Sequence, residues 1–120
     1  MDNKPTVLLI SNNLMFLPRI EAAAGSTMSV KRALTAIDAI DVLDTGNVQN
    51  ILIDLEFDNQ IWIEVLKAIP ENDKTLNIVA YGPHENTELM DMAITLGCNA
   101  ALPKGLFVNR LRKILHPEKN

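Results

Sequence analysis

Five short apolar runs separated by amphipathic stretches constrain this chain more than any other feature. The runs are Thr6-Val7-Leu8-Leu9-Ile10, Thr27-Met28-Ser29-Val30, Ile51-Leu52-Ile53, Asn77-Ile78-Val79-Ala80-Tyr81 and the weaker Ala100-Ala101-Leu102. The first, third and fourth are nearly continuous and rich in β-branched residues, as strands buried on both faces of a parallel sheet must be. The stretches between them carry helical spacing. Leu14, Leu17, Ile20 and Ala24 make one stripe, stopped by Gly25. A second helix, capped by Thr35, carries Ile37, Ile40 and Leu43 and closes at Gly46. Ile61, Val65, Leu66 and Ile69 form the third stripe, ended by Pro70, and Leu89, Met92, Ala93 and Leu96 the fourth, ended by Gly97. Val108, Leu111, Ile114 and Leu115 form the fifth.

Strand and helix alternating five times in 120 residues predict one domain over 1–120. Its fold class is α/β: a three-layer sandwich with a doubly wound, five-stranded parallel sheet of order 2-1-3-4-5, because right-handed crossovers then place helices on both faces. Composition removes other classes. With 48% hydrophobic residues the chain is not disordered, and no apolar stretch reaches the length of a membrane span. Its polar start, Met1-Asp2-Asn3-Lys4-Pro5, is not a secretory leader. A net charge of −4 argues against nucleic acid or an anionic membrane as partner, and the single cysteine, Cys98, fits a reducing, cytoplasmic setting. The five glycines are isolated, so no phosphate-cradling loop of a nucleotide or flavin enzyme is present.

In doubly wound sheets the working site lies beyond the carboxyl ends of the strands. Here that edge holds Ser11-Asn12-Asn13, Asp54-Leu55-Glu56, Gly82-Pro83-His84 and Pro103-Lys104. At those positions the chain resembles the receiver domain of two-component response regulators. Ile51-Leu52-Ile53-Asp54-Leu55 looks like the family's third strand with its phosphoacceptor aspartate, so Asp54 is the phosphoacceptor equivalent. Leu96-Gly97-Cys98-Asn99-Ala100-Ala101-Leu102-Pro103-Lys104 looks like the fifth strand ending in the family's lysine, and Val7-Leu8-Leu9-Ile10 is similar to the first strand.

The resemblance implies further groups that this sequence lacks. The acidic pair after the first strand is replaced by Ser11 and Asn12; the Ser/Thr closing the fourth strand aligns with Gly82. The switch aromatic of the fifth strand aligns with Ala101, and the proline after the lysine with Gly105. Phosphorylating a carboxylate crowds negative charge that Mg²⁺ must neutralise, and Mg²⁺ takes hard oxygen ligands, usually carboxylates. One acid remains where the family has three, with Glu56 two residues further on as the nearest other carboxylate. No catalytic residue, metal or other cofactor is therefore expected. Asp54 and Lys104 are expected instead to form an ion pair tying the third strand to the fifth.

The remaining candidates have structural readings beside their functional ones. Ser11, Asn12 and Asn13 suit helix capping and turns, and His84 suits a loop, with no second His or Cys at metal spacing. Cys98 reads as a small buried side chain, and Asp38, Asp41 and Asp44 as the wet face of the second helix. Glu85, Glu88 and Asp91 lie on the fourth helix and Arg110, Arg112 and Lys113 on the fifth. These charges complement helix dipoles, or else form an interface. The expected function is a degenerate receiver-like signalling module working through protein contacts, with a protein partner or a weak homodimer through the fourth helix, fifth strand and fifth helix. No effector segment is read after the fifth helix. The alternatives are a phosphorylatable single-domain regulator using Asp54, and a small-ligand sensor at the crevice of Ser11, Asn12 and His84.

Overall fold

A computed structural model describes residues 4–70, 73 and 75–117; the expectations for Met1–Asn3 and for the end of the chain at 118–120 lie outside the described residues. Five strands, β1 (Thr6–Ile10), β2 (Ser29–Ala33), β3 (Val48–Asp54), β4 (Asn77–Gly82) and β5 (Ala100–Pro103), form one parallel sheet in the order β2-β1-β3-β4-β5. Six helices connect and follow them: α1 (Leu17–Ala24), α2 (Ala36–Leu43), α3 (Asn59–Ala68), α4 (Thr87–Thr95), α5 (Lys104–Asn109) and α6 (Leu111–Leu115). The expected α/β sandwich and strand order are those observed.

Side chains alternate across the sheet with period two, and the two faces therefore build separate cores. Val7, Leu9, Leu52, Val79 and Tyr81 pack with Ile20 of α1, Phe107 of α5, and Leu111 and Leu115 of α6. Leu8, Ile10, Ile51, Ile53, Ile78 and Ala80 pack on the other face with Ala39 of α2, Trp62 and Val65 of α3, and Ala93 of α4. The alternation carries past the last apolar residue of each central strand. Ser11 thus follows Val7 and Leu9 onto the α1 face, and Asp54 follows Leu52 onto the same face.

Four local readings need correction. β2 begins at Ser29 rather than Thr27, because Gly25–Thr27 forms a 3-10 turn and the ladder opens with the Ser29 N–H on Pro5 O. α1 begins at Leu17, and Leu14 sits half-exposed in the preceding turn. Asn13 accounts for this: its Oδ1 takes the Met15 N–H (2.9 Å), a turn that competes with helix, and Pro18 then suits the helix's first turn. α2 is capped by Thr35 as expected, with Oγ1 accepting from Asp38 N–H at 3.1 Å, but it buries Ala36 and Ala39. Ile37 points outward, 70% exposed. The expected fifth helix is two short helices, α5 and α6, broken at Arg110, whose φ of −109° and ψ of 10° leave the helical region.

The α2 correction has a direct consequence. Ala39→Leu overpacks a site with no free volume and is expected to cost ~1–3 kcal/mol, whereas Ile37→Gln should stay within ~0.5 kcal/mol of the parent. Urea unfolding of both variants checks the assignment of the buried face.

Candidate functional site at the carboxyl edge of the sheet

Asp54 ends β3 with only 5% of its surface exposed. A buried carboxylate must be met by donors or a counter-charge. Ser11, fully buried at the end of β1, donates its hydroxyl to Asp54 Oδ2 at 2.7 Å. The Glu56 N–H donates to Asp54 Oδ1 at 2.9 Å as the chain turns away from β3. Ser11 Oγ in turn accepts the Asn13 N–H at 3.0 Å. Ser11 and Asn13 are the turn-forming residues the sequence suggested, and Ser11 also holds the carboxylate. Asn12 is exposed.

Tyr81 completes the arrangement, and sequence reasoning missed it. It lies opposite Asp54 in the β3–β4 register and is 2% exposed. The ring of Tyr81 stacks on Phe107 of α5 at 4.1 Å between centroids and meets Phe16 edge-on at 5.7 Å. The chain has one tyrosine and three phenylalanines, and three of these four rings converge beside Asp54. The available signal was Tyr81 itself, the polar-tipped end of an otherwise apolar run.

The expected Asp54–Lys104 ion pair is not formed. Lys104 Nζ pairs with Glu56, and both side chains remain partly exposed. The correction follows from reach. Glu56 leaves the edge of the sheet toward solvent, where the flexible Lys104 head keeps its hydration, while the Asp54 carboxylate turns inward to Ser11. Gly82 is buried, and a Cβ there would come within 3.3 Å of Leu55 Cβ, so the chain packs where a hydroxyl-bearing side chain would stand. Ala101 is half-buried against the core on the α4 side. His84 is well exposed and pairs with its neighbour Glu85 at 3.0 Å. Glu85 precedes α4 rather than lying on it, while Glu88 and Asp91 are on that helix; all three are exposed. Arg110 stands at the α5–α6 break and Arg112 and Lys113 on α6, exposed as well.

The donor set does not suit Mg²⁺. Asp54 is the single carboxylate at the position, Glu56 is engaged by Lys104, and Ser11 and Asn12 bring neutral groups. Among the described residues no cluster of three His, Cys, Asp or Glu is placed to hold a metal ion. A groove of about 410 Å³ lies at the other end of the sheet, between Leu66, Ile69, Pro70, Leu96 and Asn99, remote from Ser11, Asn12 and His84. No described helix is long and apolar enough to cross a membrane.

A buried carboxylate closing the central strand of a doubly wound sheet, with a lysine just beyond the edge strand, defines a class of small α/β domains. Solved structures refine that class. The chain superposes with a TM-score of 0.73 on a chain of the co-crystal structure of the Saccharomyces cerevisiae histidine phosphotransfer protein Ypd1 and the receiver domain of its downstream response regulator Ssk1, at 22% identity, covering 93% of this chain and 86% of that one. The signal receiver domain of the putative LuxO repressor protein from Vibrio parahaemolyticus gives 0.71 at 22% identity, covering 92% and 85%. The non-phosphorylated HemR receiver domain from Leptospira biflexa gives 0.72 at 17% identity, covering 98% of both. No protein-family model matches the sequence, and no curated protein matches it. The fold of this chain is that of a response-regulator receiver domain.

Burial raises two ionisation constants, with a stated effect on stability. The Cys98 thiol is pushed up to about 12 by burial. The Tyr81 phenol is raised above its usual range, first by burial and then by the charge of Asp54. A raised folded-state value contributes stability that is complete below the unfolded value and is lost as pH climbs toward the folded one. Stability should therefore fall above pH ~8.5 as unfolded Cys98 ionises, and more steeply above ~10 as unfolded Tyr81 follows, each adding up to ~1.4 kcal/mol per pH unit. Cys98→Ala should remove the first component and Tyr81→Phe the second in urea titrations across this range. At neutral pH, Ser11→Ala leaves Asp54 Oδ2 without its buried donor and should cost ~1–3 kcal/mol.

Proposed function

We propose that this chain is a degenerate receiver-like signalling module that acts through protein contacts and does not use Mg²⁺-dependent phosphorylation of Asp54. The carrying observation is the 2.7 Å bond from Ser11 Oγ to Asp54 Oδ2. A hydroxyl closes the carboxylate from the side where the resembled family offers metal-binding acids. Asp54 already has donors on both oxygens, so it is a poor ligand and a poor nucleophile without a cation beside it. The missing hydroxyl at Gly82 and the missing ring at Ala101 point the same way. The chain has no catalytic residue in this reading.

A protein partner is supported by the receiver domain solved with a histidine phosphotransfer protein, which has this fold. On this chain the acids Glu85, Glu88 and Asp91 and the bases Arg110, Arg112 and Lys113 are all exposed. Such charges set register and partner choice, while each exposed pair contributes only ~0–1 kcal/mol, so apolar contact must supply the affinity. A second copy meeting this face across a two-fold axis would set acids against bases, giving a weak, salt-sensitive dimer.

Incubation with Mg²⁺ and acetyl phosphate should leave the intact mass unchanged, and beryllofluoride should leave the amide spectrum unchanged. Stoichiometric modification of Asp54 would refute the reading. For the surface, reversing charge at Arg110 and Arg112 should abolish self-association in low-salt sedimentation while reversing Asp38 and Asp41 should not; identical sedimentation of all three proteins would remove the dimer.

A further inference from the structure

Each crossover in a parallel sheet returns a helix from the carboxyl edge to the amino edge, so helices end where strands begin. α2, α3 and α4 cover the same face of the sheet, through Ala39, through Trp62 and Val65, and through Ala93. Their carboxyl ends therefore gather at the amino edge of that face, away from Asp54. The groove of about 410 Å³ lies between the ends of α3 and α4, lined by the buried Leu66 and Ile78 and the half-buried Ile69, Leu76 and Leu96. A second hollow of about 210 Å³ shares Ile69, Pro70, Asp73 and Leu76 with it and reaches the end of α2 at Leu43 and Asp44.

The balance of charge around these hollows is negative. A helix carries partial negative charge at its carboxyl end, which a base in the last turn offsets. α2 and α4 have no base there, and α3 has one, Lys67. Asp73 lines both hollows and Asp44 the second. Asp73 Oδ1 accepts the Thr75 hydroxyl and, at 3.0 Å, the Thr75 N–H; the hydroxyl first and the N–H second hold this carboxyl below the usual carboxylate range, so it is charged at neutral pH. Asp73 Oδ2, the Asp44 carboxylate and the Lys67 ammonium have no ion pair or hydrogen bond among the described residues. Glu71 and Lys74, neighbours of Asp73 in sequence, carry opposite charges and leave the balance unchanged.

We propose that this groove is a binding site for a small organic cation, an ammonium or guanidinium group carried on an apolar body. Ile69, Leu76 and Leu96 cover the body, and Asp73 with the ends of α3 and α4 meets the head. The volume is that of small-ligand sites, about 300–1,000 Å³. A protein interface takes about 20–30 residues a side, more than this groove offers. An anionic ligand is repelled by Asp73 and by the helix ends, and a neutral one leaves their charge unmet. The site is remote from Asp54, so this inference does not rest on the proposed function.

The test adds phenylbutylammonium to the full chain, with phenylbutyrate and phenylbutanol as anionic and neutral compounds of the same body, and follows amide NMR shifts. The ammonium compound should shift Ile69, Leu76, Leu96, Gly97 and Asn99 saturably and bind more tightly than either of the others. Asp73→Asn, which keeps an oxygen for Thr75, should weaken it by about two- to fivefold, and Lys67→Gln should tighten it by about the same factor, the range of one exposed charge contact. Both differences should shrink as salt is raised. Phenylbutyrate or phenylbutanol binding as tightly as the ammonium compound, shifts confined to other surfaces, or affinities unmoved by both substitutions would overturn the proposal. So would a Lys–Leu peptide that occupies the groove when phenylbutylammonium does not, an outcome that assigns the groove to a protein segment.

Discussion

The carboxylate of Asp54 is the group that the rest of the site answers to. It terminates the central strand of a sheet whose two faces are both covered, with 5% of its surface left to solvent. A charge in that position is unstable unless donors surround it. In this chain neutral hydrogen bonds do the surrounding: one hydroxyl from β1 and one backbone N–H from the turn after β3. At Ser11 a second carboxylate would need a cation beside Asp54; the serine hydroxyl is instead a donor that satisfies the first charge.

The neighbouring groups are arranged around a carboxylate met this way. Lys104 pairs at the surface with Glu56, an interaction of ~0–1 kcal/mol that tethers the start of α5 without deciding the fold. Tyr81, the partner of Asp54 in the β3–β4 register, is buried with its ring stacked on Phe107. The aromatic cluster and the carboxylate thus lie on the same face of the sheet. The α4 face, with Gly82 closed against Leu55 and Ala101 in place of a ring, carries no comparable set.

The architecture was legible because buried parallel strands leave nearly continuous apolar runs: Val7–Ile10, Ile51–Ile53 and Ile78–Ala80 lie in β1, β3 and β4. Edge strands lack that signature, and β2, with exposed Lys31 and Arg32, was placed two residues early. Helix phase was harder. Ile37 was read with the apolar stripe because it is apolar, whereas α2 turns Ala36 and Ala39 fully inward with Val42 and Leu43 packed beside them. The site's strand-end positions followed from topology, so Ser11, Asp54, Gly82 and Lys104 were placed at the right edge. Their pairing was not legible. Which of two acids two residues apart faces inward depends on the pleat and the turn at Glu56, and a periodic reading ends where the strand ends. Tyr81 was passed over because it sits within an apolar run, where its hydroxyl leaves no mark on the pattern.

The central claim is that hydrogen bonds, in place of a cation, satisfy Asp54. It is tested most directly by following the side-chain carboxyl carbon of Asp54 by ¹³C NMR while Mg²⁺ is added at neutral pH. The account predicts no saturable shift through the millimolar range in the parent chain, and a changed carboxyl resonance without Mg²⁺ in Ser11→Ala, where the donor is gone. A saturable Mg²⁺-dependent shift of the Asp54 carboxyl in the parent chain would contradict it.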